Sequence, residues 1–154
     1  MPPRETAAAL PPTLERVLTR FRALGREEKM QALVGLAKQL EPLPARYAEV
    51  DRAAFTVPEC QTRVDLFPER RDDGTLHFYA DVNARQSPTI AAVLALTFQA
   101  VNDQPPAATL AIPPDYVRQI MGGLGLAARE VGLQAMVERL KRYAREAEGE
   151  PVRA

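Results

Sequence analysis

The sequence predicts an α+β fold: a small antiparallel sheet of about three strands with helices packed on one face. Three observations carry this expectation. Apolar residues recur at helical spacing in the first 40 residues and again after residue 87; between these regions the period drops to two; and an Asp-Gly turn signal sits inside the alternating stretch. Helices, then a meander, then helices place the helices together on one side of the sheet. The 154 residues, 46% hydrophobic and 26% charged, are enough for one core without staples. A single domain is expected over residues 13–147, with flexible tails at 1–12 and 148–154.

Proline pairs (Pro2-Pro3, Pro11-Pro12, Pro105-Pro106 and Pro113-Pro114) divide the chain, because proline lacks a backbone donor and fixes φ. After Pro12, Thr13 reads as an N-cap, and Leu14, Val17, Leu18, Phe21 and Leu24 follow at helical spacing up to a stop at Gly25. A second helix is expected from about residue 27 to 40, with Met30, Leu33, Val34, Ala37 and Leu40 as its stripe and Gly35 inside it. Val64 and Leu66 then alternate with Arg63 and Asp65, and Leu76, Phe78 and Ala80 with His77, Tyr79 and Asp81. Arg71-Asp72-Asp73-Gly74-Thr75 joins them as a hairpin, and Phe55-Thr56-Val57 reads as a third strand. Ser87-Pro88 opens the next helix as N-cap and first helical residue, with Ile90, Val93, Leu94, Phe98 and Val101 on its apolar face. Short helical turns are expected at residues 107–110 and 114–121. Gly122-Gly123-Leu124-Gly125 breaks the chain before a last helix over Ala127–Ala147, whose inward side is Leu133, Met136, Val137, Leu140 and Tyr143.

Composition excludes several classes of function. Twenty basic residues balance twenty acidic ones, so neither nucleic acid nor an anionic membrane is an expected partner. No apolar run approaches the ~18 residues of a membrane span. The first residues carry no signal-peptide pattern, and a cytoplasmic location is expected. One histidine, His77, and one cysteine cannot supply a zinc or iron–sulfur ligand set. There is no P-loop, and the glycine cluster at 122–125 follows no strand, so it does not fit a dinucleotide fingerprint. None of the three lysines (Lys29, Lys38, Lys141) sits in a Schiff-base context. No cofactor and no metal are therefore expected. His77 reads as an exposed or half-buried strand residue, Asp72-Asp73 as turn residues, and Asp81 as a strand terminator.

That leaves Cys60, in Val57-Pro58-Glu59-Cys60-Gln61-Thr62-Arg63. A free cysteine most often behaves as a small buried hydrophobe. Here Pro58 and the polar Glu59, Gln61 and Thr62 suggest a loop rim, where a thiolate can reach a sulfur atom on another protein. With no second cysteine there is no internal resolving step, so Cys-x-x-Cys redox chemistry is excluded. A one-cysteine carrier that takes a group and hands it on is permitted.

From about residue 43 to 143 the chain resembles the SufE-type sulfur acceptor family. Leu43-Pro44-Ala45-Arg46-Tyr47 is similar to that family's Leu-Pro-x-x-Tyr segment, and Cys60-Gln61-Thr62-Arg63-Val64 to its Cys-Gln-Ser-x-Val motif. Asp73-Gly74 with Leu76-His77-Phe78-Tyr79-Ala80-Asp81 resembles its hairpin. Arg129-Glu130-Val131-Gly132-Leu133-Gln134-Ala135-Met136 resembles its Arg-x-x-Gly-Leu-x-Ala-Met helix. The order and spacing of these pieces make the match. Three departures are visible: Glu59 where the family usually has glycine, Asp65 where a tryptophan is common, and Gln86-Ser87-Pro88-Thr89 in place of Ile-Val-Lys-Gly.

The resemblance implies an α+β fold like that of U-type cluster scaffolds. It also implies a specific role. Cys60 would accept persulfide sulfur from a SufS-type cysteine desulfurase, stimulate that enzyme, and pass the sulfur to a SufBCD-type scaffold for iron–sulfur cluster assembly. Such a protein is a carrier rather than a stand-alone enzyme. Arg129 would anchor the desulfurase or steady the thiolate, or be a solvated first-turn arginine. Gln61 would bond the loop or the partner, or lie at the surface. A resting Cys60 sheltered by Leu66 and neighbouring apolar groups would have to swing out in the complex. Two other readings stand beside this one: a cysteine-independent regulatory module of a desulfurase or scaffold, and a one-cysteine peroxidase, for which only Thr62 and Arg63 are to hand.

Overall fold

The computed structural model describes residues 12–60 and 62–149. Most of the two expected tails therefore lies outside the described residues. The elements are helices α1 (Pro12–Ala23) and α2 (Arg26–Ala37), a 3₁₀ turn (Ala45–Tyr47), strands β1 (Asp65–Arg70) and β2 (Leu76–Asp81), and helices α3 (Pro88–Val101), α4 (Pro106–Leu110), α5 (Tyr116–Met121) and α6 (Ala127–Ala147). No helix among the described residues is long and apolar enough to cross a membrane.

Helix α1 begins at Pro12, so Thr13 is its second residue rather than its cap. Gly25 ends the first helical segment and caps the second, with its backbone N–H donating to Glu28 Oε1 at 3.0 Å. Val34 was expected on the inner stripe of α2 but is 52% exposed; the buried line is Leu33, flanked by the partly buried Met30, Leu36, Ala37 and Leu40. Leu33, Leu36, Ala37 and Leu40 keep the i, i+3, i+4, i+7 spacing, which puts Val34 round the side. Gly35 is exposed, and an added Cβ there meets nothing within 4 Å. Gly35→Ala is thus expected to raise stability by about 0.5–1 kcal/mol, read from a denaturant midpoint that moves up at constant slope.

Helix α3 is the centre of the molecule. Its fourteen residues contain no charge, and all but Pro88, Thr89 and Gln99 are buried. A helix that is apolar all round has no solvent side, so it is enclosed by its neighbours. Its polar Thr97 is satisfied by Val93 O at 2.7 Å and the Tyr116 hydroxyl at 2.6 Å. Ser87 precedes the helix as expected, but its side chain makes no capping bond.

The sheet is two-stranded, β1 antiparallel to β2, with Asp65 opposite Asp81 and Arg70 opposite Leu76. Its turn is the one expected: Gly74 takes φ +88°, and Asp73 Oδ1 accepts from the Thr75 backbone N–H and hydroxyl at 3.0 and 2.6 Å. The expected third strand shrinks to a single bridge between Thr56 and Asp65. The N–H groups of Phe55 and Thr56 both turn back to Arg52 O, and Pro58 has no N–H to continue a ladder.

The alternation in β2 misleads about the second face. Leu76, Phe78 and Ala80 meet the helices, with the Phe78 ring stacked on Phe98 at 6.0 Å. Yet His77 and Tyr79 on the opposite face are also buried, at 8% and 6% exposure. The segment before β1 covers them. Tyr47 packs on Phe67 and Tyr79 at 4.8 and 5.7 Å between ring centroids, and Phe55 packs on Phe67 at 4.9 Å. Polar groups close this layer. His77 lies between Glu41 Oε1 (2.7 Å) and Asp103 Oδ1 (2.9 Å), and Glu69 accepts from Arg46 and from the Tyr47 hydroxyl at 2.9 Å.

The Arg46 hydrogen bond holds the Glu69 carboxyl below the usual glutamate range; partial burial opposes this, and the Tyr47 bond adds to it. A depressed folded value means that the unfolded chain binds more protons in acid. The stabilisation is present above the unfolded glutamate value and is lost as pH falls through the folded one. Glu69→Gln is expected to flatten the acid side of a thermal-midpoint-versus-pH curve and leave its shape at neutral pH unchanged.

Candidate functional site

Cys60 sits at the tip of a loop whose two ends are tied together just before β1. Val57 N–H donates to Val64 O at 2.9 Å, and Leu66 N–H to Phe55 O at 2.9 Å. The Asp65 carboxylate, 1% exposed, binds both arms: Thr56 Oγ1 at 2.5 Å and Arg52 Nη1 at 3.2 Å before the tip, and Arg63 Nε at 3.4 Å after it. Arg52 also pairs with Asp81 on the neighbouring strand. A buried carboxylate without partners would be costly; here its charge is used to close a loop. Ser87 Oγ donates to Thr62 Oγ1 at 3.0 Å, which ties the outgoing arm to the start of α3. Arg139 of α6 reaches Ala54 O and Thr56 O at 3.4 and 3.3 Å and holds the incoming arm.

Between these anchors Pro58 and Glu59 are exposed, and Cys60 is half-buried against the core. The thiol lines a cleft of about 310 Å³ shared with Thr62, Ile90, Gly125, Leu126, Ala127, Ala128 and Arg129. Cys60 is thus neither an enclosed core residue nor a bare surface one. Two helices start at this cleft. Ile90 is the third residue of α3, and Ala127 to Arg129 form the first turn of α6. Neither helix has a side-chain cap: Leu126 has no side-chain oxygen to offer, and Ser87 commits its hydroxyl to Thr62. Arg129 brings a cation to the cleft, while Glu130 stands in the same first turn of α6 and Glu59 directly precedes Cys60.

The structure brings Cys60 and Arg129 to one cleft. Gln61 lies outside the described residues. Sequence reasoning gave no part in the site to Arg52, Thr56, Arg139 or Gly132, and read Asp65 as a polar strand residue and a departure from the family pattern. Gly132 had a usable signal, since glycine in the body of a long helix costs about 1 kcal/mol and asks for a reason. The other four had none, because their contacts span distances in sequence that no local pattern encodes.

The SufE family, described as an Fe-S metabolism associated domain, matches residues 15–144. The chain belongs to the SufE family. It is 35% identical over 148 residues to two uncharacterized SufE-like proteins of Mycobacterium tuberculosis, one from strain CDC 1551 / Oshkosh and one from strain ATCC 25618 / H37Rv, with 92% of this chain and 97% of each relative covered. The solution structure of a hypothetical protein from Thermus thermophilus superposes with a TM-score of 0.72 at 26% identity, covering 92% of this chain and all of that one. The α+β fold is therefore that of a SufE protein, and membership implies a sulfur-acceptor role in Fe–S metabolism.

Proposed function

We propose that this SufE protein takes sulfur from a SufS-type cysteine desulfurase onto Cys60, stimulates that enzyme, and delivers the sulfur in the cytoplasm to a SufBCD-type scaffold for cluster assembly. The observation that carries the reading is the chain's one cysteine, held on a tied loop at an open cleft that Arg129 also lines. The step is a thiol exchange on sulfur. The Cys60 thiolate attacks the terminal sulfur of the desulfurase persulfide, a new S–S bond forms on Cys60, the old S–S bond breaks, and the desulfurase cysteine leaves as a thiolate. Electrons balance without an external oxidant or reductant.

Such a reaction needs access and alignment more than an enclosed pocket, which agrees with a cleft rather than a cavity. Arg129, on the same cleft, is the cation placed to meet negative charge that develops on the accepted sulfur. By clearing the persulfide, the acceptor frees the desulfurase for its next turnover, which accounts for stimulation. The test is incubation with a desulfurase and isotope-labelled cysteine, followed by intact-mass measurement of the acceptor. One added sulfur that thiol removes, a gain of about 32 Da from unlabelled cysteine and about 34 Da from sulfur-34 cysteine, is the expected result. No gain beside an active desulfurase sinks the reading.

A further inference from the structure

We infer that Gly132 is a positioning residue for Cys60: because it has no Cβ, the Cys60 loop seats directly on α6, and this seat sets how far the resting thiol is withdrawn from solvent. An added Cβ at Gly132 would stand 3.2 Å from Cys60 Sγ, 3.3 Å from its Cα and 3.4 Å from its Cβ. The first two are tighter than ordinary van der Waals contact and require the loop to give by a few tenths of an ångström. They involve the backbone as well as the thiol, so a rotamer change alone does not relieve them. Gly35, the other glycine in a helix body, meets nothing within 4 Å, which makes the crowding at Gly132 specific.

The direction of the response follows from the anchors. The arms of the loop are held by the Val57–Val64 pairing, the Asp65 carboxylate and the Ser87–Thr62 bond, whereas Pro58 and Glu59 at the tip are exposed. Helix α6 is fixed in the core by Leu133, Met136, Val137 and Leu140, all buried, with Met136 one turn on from Gly132 on the same face. A methyl group at position 132 therefore pushes the tip of the loop outward, not the helix inward. Glycine here trades helix propensity for a close approach of two backbones. The consequence for sulfur transfer rests on the persulfide reading; the seat itself does not.

Because the chain has a single cysteine, alkylation reports on this site alone. The full chain is treated with iodoacetamide under native conditions and its mass followed in time. Gly132→Ala is expected to speed alkylation by about threefold to tenfold, since the accessible fraction of the thiol sets the rate, while Gly35→Ala leaves the rate unchanged. Equal rates for Gly132→Ala and the parent overturn the inference. A second measurement covers the case in which Gly132→Ala loses its cooperative thermal transition. Gly132→Ala is then placed in a Cys60→Gly background, which removes the crowded Sγ and Cβ. Return of a cooperative transition in the double variant is expected, and its continued absence beside a cooperatively melting Cys60→Gly single variant overturns the seat. A parent protein that accepts no sulfur would sink the persulfide reading and leave the alkylation result standing.

Discussion

Cys60→Ser abolishes sulfur acceptance and leaves a folded protein. The substitution exchanges one atom for a smaller one at a half-buried position, so the seat against Gly132 is kept and stability changes by about 1 kcal/mol or less. The chemistry is lost outright. A serine hydroxyl stays protonated at neutral pH and does not displace a thiolate from a persulfide, so the expected loading falls from one sulfur per chain to none. Stimulation of the desulfurase falls with it, because the enzyme's persulfide is no longer cleared. Desulfurase turnover and acceptor mass, measured in the same samples, separate the readings. Stimulation that survives Cys60→Ser would mean that this protein works through its surface as a cysteine-independent module.

Phe67→Ala carries the largest expected cost in stability among the residues outside the helical core, about 3–5 kcal/mol. Phe67 is fully buried on the sheet face that no helix covers, between Tyr47 and Phe55 at 4.8 and 4.9 Å, with the Arg52 guanidinium 5.8 Å from its ring centre. Truncation would leave a hole that the two flanking aromatics cannot both fill, and the midpoint of a thermal scan should fall on the order of 10 °C. A sheet with its second face in water would instead lose no more than about 0.5 kcal/mol. The variant also loosens the 45–56 segment that leads into the Cys60 loop, so faster alkylation of the thiol should accompany the fall in midpoint. A shift of only a degree or two would mean that this layer contributes little.

The outer aromatic layer marks where local pattern stops being informative. Periodicity located the α-helices of the described residues to within a few positions, and the last one over Ala127–Ala147, because a 3.6-residue repeat of apolar side chains is a local property; the 3₁₀ turn at Ala45–Tyr47 was not foreseen. The turn at Asp73-Gly74 was equally legible, since only a residue free of a Cβ takes φ +88° without strain. The face of a strand is different. Strict alternation in β2 suggested one wet face, but whether that face is wet depends on what another part of the chain lays over it. Tyr47 and Phe55 lie too far away in sequence to register in the strand's own pattern. The third strand failed for a related reason: Phe55-Thr56-Val57 has strand-like residues, but Arg52 O captures two of its N–H groups and Pro58 offers none.

The candidate site divides in the same way. Elimination on a single chain of 154 residues was enough to single out Cys60, because one thiol, one histidine and three lysines leave few other reactive groups. The Cys-Gln-Thr-Arg-Val and Arg-x-x-Gly-Leu segments pointed to a SufE protein, because short runs of residue types survive intact in a linear string. Only the folded chain decided that Gly132 lies against Cys60, that Asp65 fastens both arms of the loop, and that two uncapped helix starts open on the same cleft. Each of these joins residues that are distant along the chain through a contact of a few ångströms, and such a contact exists only once burial of the core has brought the elements together.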